Sequence, residues 1–124
     1  MLNEMENTKQ QSGEPFRRWF NDQFFDLIVW YSSDENIYGF QLCYKIGWVE
    51  KALTWRHDRG FFHNTVDYGG LRPGGERTPI LVADGVFDKS HIFHLFKRES
   101  KEIDSNIVEL VSRKIREYPD ELIF

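Results

Sequence analysis

Apolar residues enter the chain late and in short bursts. Residues 1–14 are almost wholly polar and carry no periodic pattern, which predicts a disordered tail, with one folded domain over 15–124. From Phe16 to Val82, aromatic and β-branched runs alternate with Gly, Asp and Asn, the mark of antiparallel strands. The runs cover residues 16–20, 24–31, 37–46, 49–57, 61–68 and 78–83. In the third, Tyr38, Phe40, Leu42, Tyr44 and Ile46 share one face while Gly39, Gln41, Cys43 and Lys45 share the other. The second is apolar on both faces, through Leu27, Val29 and Tyr31 against Ile28 and Trp30. It is therefore expected to be central and covered twice, or to meet another chain.

Asp58-Arg59-Gly60 suits a short hairpin loop, with Gly60 in the left-handed region. The expected register pairs His57 with Phe61, Trp55 with His63, Leu53 with Thr65 and Arg56 with Phe62. Beyond Ala83-Asp84-Gly85 the period lengthens to that of helices. Asp88 is placed to cap a helix through Ile92, Leu95 and Phe96 that ends near Ser100, although residues 91–97 also alternate like a strand. Asp104 is placed to cap a second helix with Ile107, Val111, Ile115 and Tyr118 on one stripe, stopped by Pro119. Strands first and helices last imply an α+β fold: a mainly antiparallel meander of five or six strands with one or two C-terminal helices packed on it.

Length and composition fit that picture. The 124 residues make one domain, and folding at this size buries roughly two-thirds of the chain's surface without a metal or disulfide staple. Eleven Phe, five Tyr and four Trp supply much of the apolar area. A net charge of −4 argues against a general nucleic-acid or anionic-membrane binder. Cys43 is the only cysteine, so neither an internal disulfide nor a cysteine zinc site is expected. No apolar run approaches the roughly 20 residues of a membrane span, and acids stand where a signal peptide carries positive charge. A reducing, cytoplasmic home is the expectation.

The strings Asp26-Leu27-Ile28-Val29-Trp30, Gly39-Phe40-Gln41-Leu42-Cys43-Tyr44 and Ala52-Leu53-Thr54-Trp55-Arg56 resemble those of a family of short uncharacterised bacterial proteins, a domain of unknown function. Gly60, His63, Val66-Asp67 and Pro79-Ile80-Leu81-Val82 continue the likeness, which spans about residues 16–118. The resemblance implies a bacterial cytoplasmic origin and brings no activity, cofactor or catalytic residue.

Four groups of residues carry chemistry worth weighing. Trp55, His57, Phe61 and His63 share one hairpin face, where two imidazoles beside two rings can bind a small aromatic or anionic molecule; the plain alternative is a wall of the core. That set lacks the third ligand a zinc ion needs, so no metal or other cofactor is expected. Asp84, Asp88, His91 and His94 are metal- and base-type residues, yet a turn and a helix cap already explain the two aspartates. Arg72 and Arg77 lie in the glycine-rich stretch 69–77, where freed amides and guanidinium groups can hold a phosphate or carboxylate. Residues 89–101 set Lys89, Lys97, Arg98 and Lys101 against Glu99 alone, with His91 and His94 beside them, a face for an acidic partner or a nucleic-acid backbone.

No nucleophile motif is present: Cys43 lies mid-strand, and Ser32 and Ser33 sit in a turn. The leading expectation is a non-enzymatic binding or protein-interaction module, with an unknown protein partner or a second copy meeting a sheet edge or the aromatic second face. A ligand binder or small enzyme using the hairpin face is the alternative. Nucleic-acid binding through 89–101 comes third.

Overall fold

Each aromatic or β-branched run pairs with the next one in the chain. In a computed structural model, which describes residues 1–10, 12–67, 80–83 and 87–119, seven strands form one antiparallel sheet in sequence order. They are β1 Asn3–Glu4, β2 Phe16–Asn21, β3 Phe25–Tyr31, β4 Ile37–Ile46, β5 Val49–Arg56, β6 Gly60–Asp67 and β7 Ile80–Ala83. Helices α1 Lys89–Glu99 and α2 Ser105–Glu117 follow. The fold is therefore the expected α+β meander with two C-terminal helices, and residues 91–97 are helical.

Register places the core in rows. Phe20, Leu27, Leu42, Leu53 and His63 stand side by side across β2 to β6. Val29, Phe40, Trp55 and Phe61 make the next row. The helices lay their apolar stripes on these rows: Ile92 and Phe96 from α1, and Ile107, Val111, Ile115 and then Tyr118 from α2. Burying one such side chain contributes about 1.5–3 kcal/mol. An exposed ion pair contributes about 0–1 kcal/mol. The seam between sheet and helices therefore dominates stability.

Hydrogen bonds set the helix ends. The Asp88 carboxylate accepts from the His91 N–H at 3.2 Å and starts α1. Lys89 donates to the carbonyls of Arg116 (3.2 Å) and Tyr118 (2.9 Å), joining the first turn of α1 to the last of α2. Asp104 stands at the start of α2, but its side chain makes no cap bond there. Its carboxylate accepts instead from Arg18 at 2.7 Å, tying α2 to the sheet edge.

Two expectations are corrected. Residues 1–10 are not a free polar tail. Leu2 is completely buried and donates its N–H to the Glu99 carbonyl at 2.7 Å, and Asn3–Glu4 pairs with β2. Arg18 also grips the Glu4 carboxylate with two bonds, at 2.6 and 2.9 Å. Further along, Gln10 bonds the Arg17 backbone in both directions.

The β5–β6 register is also two residues from the expected one: Trp55 pairs with Phe61, Leu53 with His63, and Arg56 with Gly60. The cause lies in β4. The Tyr38 carbonyl holds the His57 N–H at 2.9 Å, the turn closes from the Arg59 N–H to the Arg56 carbonyl at 3.1 Å, and Gly60 then takes φ 79°. A shift of two leaves every side chain on its expected face and changes only its partner.

Two outcomes follow from this division of energies. Phe96→Ala, at a fully buried site, should cost about 3–5 kcal/mol in urea unfolding. The Arg18 hydrogen bond holds the Glu4 carboxyl below its ordinary value of 4.5, so its contribution is present above that pH and is lost as pH falls below it. Glu4→Gln should therefore lose less stability than wild type between about pH 5 and pH 3, by a fraction of a kcal/mol because the pair is exposed.

Candidate interaction surface

The hairpin face chosen from sequence is the helix-covered face. His63 is 5% exposed and lies among rings: Tyr44 stacks on it at 6.0 Å, with Phe87 at 4.9 Å and Tyr118 at 6.1 Å. Its Nε2 shares a 2.6 Å hydrogen bond with the Tyr44 hydroxyl. Phe61 packs edge-on against Tyr118, and Trp55 is half-buried under the Lys114 ammonium at 4.5 Å. His57 is exposed at the turn and touches the Trp55 edge. In the observed register the two histidines flank the Trp55–Phe61 pair from opposite ends, separated by about 13 Å of strand. The structure gathers Trp55, Phe61 and His63 into the core wall and leaves His57 at its rim.

Arg72 and Arg77, with their glycine-rich stretch, lie outside the described residues, as does Asp84. Asp88 caps α1, and His91 and His94 are exposed on that helix. Among the described residues no three His, Cys, Asp or Glu side chains come together to hold a metal ion. Burial pushes the Cys43 thiol up to about 11, which keeps it protonated and a poor nucleophile. In the basic stretch, Arg98 is drawn to Glu99 at 2.6 Å and lies over Phe24, while Lys97 and Lys101 point to solvent. Among the described residues no helix is long and apolar enough to cross a membrane.

The second face of the sheet carries the row Trp19, Ile28, Gln41, Thr54 and Phe62. Beside it, Arg56 spreads its guanidinium on Trp30 at 4.8 Å. Trp19 donates its indole N–H to Asp26. Trp19, Ile28 and Trp30 are half-buried by these neighbours, and Phe62 remains 45% exposed.

A stronger apolar feature lies at the end of β4 and β5, and the sequence reading passed over it. Ile46 and Val49 form the last pair of the hairpin, joined by Gly47-Trp48. Gly47 takes φ 61° and Trp48 stays in the ordinary region, the requirement of a type II′ turn. Ile46 is 51%, Val49 43% and Trp48 103% exposed. Lys45, Glu50 and Lys51 surround this tip with charge. The signal was present as four consecutive residues of a tight turn with no polar side chain, where Asn, Asp or Ser is usual.

Comparison of the chain with protein-family models, with curated proteins and with solved structures finds no match.

The two kinds of site separate in mutants. Tyr44→Phe removes the hydroxyl partner of a buried imidazole and should cost about 1–3 kcal/mol in urea unfolding. Trp48→Ala should change stability by less than about 0.5 kcal/mol, because the ring packs on nothing.

Proposed function

We propose that the chain is a non-enzymatic protein-interaction module of the cytoplasm that docks through the β4–β5 tip. The observation that carries this reading is Trp48, fully exposed between two half-exposed aliphatic side chains. Folding gains nothing from that placement. Large rigid aromatics with a charged surround are the usual anchors of protein interfaces, and a contiguous apolar patch on a soluble surface marks a contact site. The II′ turn fixes the backbone beneath the ring, so little conformational entropy is lost when a partner pocket closes on it. Use of the hairpin face by a ligand or a reaction is disfavoured by the burial of His63 among three rings, those of Tyr44, Phe87 and Tyr118.

Site-specific photo-crosslinking in producing cells tests the proposal. A photoreactive residue at position 48 should give one discrete adduct, lost when Ile46 and Val49 are changed to Ser. A probe at exposed Glu102 should not give it. An adduct of twice the chain mass, with a concentration-dependent dimer in light scattering that Trp48→Ala abolishes, identifies the partner as a second copy. No adduct at 48, or the same adducts from both positions, would contradict the proposal.

A further inference from the structure

The outer edge of β2 is covered from Arg17 to Asn21 by the start of the chain. A strand at a sheet edge presents unpaired N–H and C=O groups that invite another strand. Here Asn3 and Glu4 pair with Asn21 and Phe20, and the Met5 N–H reaches the Trp19 carbonyl at 2.8 Å. The chain then leaves the ladder, with Asn7 at φ 58°. Gln10 returns to the same edge with its side chain. Its amide nitrogen donates to the Arg17 carbonyl at 2.7 Å, and its oxygen accepts the Arg17 N–H at 3.0 Å. A side-chain amide so placed reproduces the pair of bonds a neighbouring strand would make.

This cover is pinned at one end and loose elsewhere. The Leu2 side chain is completely buried, its N–H bonds the Glu99 carbonyl at 2.7 Å, and the Met1 ammonium lies 2.9 Å from the Glu99 carboxylate. From Asn3 to Gln10 every side chain except half-buried Thr8 is exposed. Its ties are the Glu4–Arg18 pair and hydrogen bonds open to water. A segment with one apolar anchor opens at a much lower free energy than the sheet–helix seam.

We infer that residues 2–10 are an autoinhibitory guard, and that their displacement lets β2 pair antiparallel with β2 of a second copy. Arg17 and Trp19 direct backbone groups outward, and Asn21 follows at the strand period. A two-fold axis at Trp19 therefore matches donors to acceptors. It sets Arg17 opposite Asn21 and Arg18 opposite Phe20, so no like charges face each other. An axis of this kind closes the contact at two copies. The inference does not rest on the hairpin tip, which lies at the far end of β4 and β5.

Light scattering and sedimentation on the full chain carrying Trp48→Ala, from about 10 μM to 1 mM, read the edge without the tip. With the guard intact, the protein should stay monomeric. Leu2→Ser removes the pin. Glu4→Gln with Gln10→Ala removes only exposed bonds, and keeps the test decisive if the first variant folds poorly. Each should give a saturating dimer with no larger species, and faster amide exchange at Glu4 and Met5. Adding Arg17→Pro, which deletes an outward N–H and spares the β3 ladder, should weaken that dimer at least about tenfold. Three results would overturn the inference: variants that stay monomeric although exchange shows the guard open, a dimer that Arg17→Pro leaves unchanged, or equal dimerisation with the guard intact. Guard amides that exchange as slowly as those of β4 in both variants would overturn it too.

Discussion

Everything in this molecule depends on one seam, where a meander of strands presents a single apolar face and two helices close it. The row Phe20, Leu27, Leu42, Leu53 is composed of residues far apart in sequence, and it becomes a surface only when four strands are in register. Ile107, Val111 and Ile115 recur at the helical period and meet that surface as a stripe. Neither partner is stable alone, since a lone sheet face or a lone amphipathic helix leaves its apolar side in water. The remaining ties, such as Arg18 to Asp104 or Lys89 to the end of α2, align the layers that burial already holds together.

That constraint explains which parts of the fold were legible in the sequence. Strands β2 to β6 and α2 carry their period on residues that must face the seam, so pattern and structure coincide, whereas residues 91–97 of α1 also alternate like a strand and only packing decides them. The β1 pairing was not legible, because a two-residue strand has no period and Leu2 is a single apolar residue among polar ones. What holds it is the edge of β2 and a buried site beside Glu99, both of them long-range. The exchange at Asp104 has the same origin. A helix cap is a local reading, and an arginine eighty-six positions away took the carboxylate.

The candidate sites divide along the same line. Trp55, Phe61 and His63 were found by their alternation, and alternation reports burial, so the same signal that selected them placed them in the core wall. The expected closeness of His57 and His63 failed on a register shift of two, which a carbonyl of β4 imposes and the hairpin's own residues do not reveal. Trp48 breaks the rule that turns are polar, and it does so without any structural return.

Stability thus resides in the seam, and the surface read as a contact site, the hairpin tip, lies outside it. Native-state hydrogen exchange tests that separation most directly, because it reports the opening free energy of each amide. If one core unites both layers, slow amides of β3, β4 and the inner face of α2 should share a single, highest opening free energy equal to that of global unfolding. Amides of α2 that open at a clearly lower free energy than those of β4 would show a separable helical layer and contradict the account.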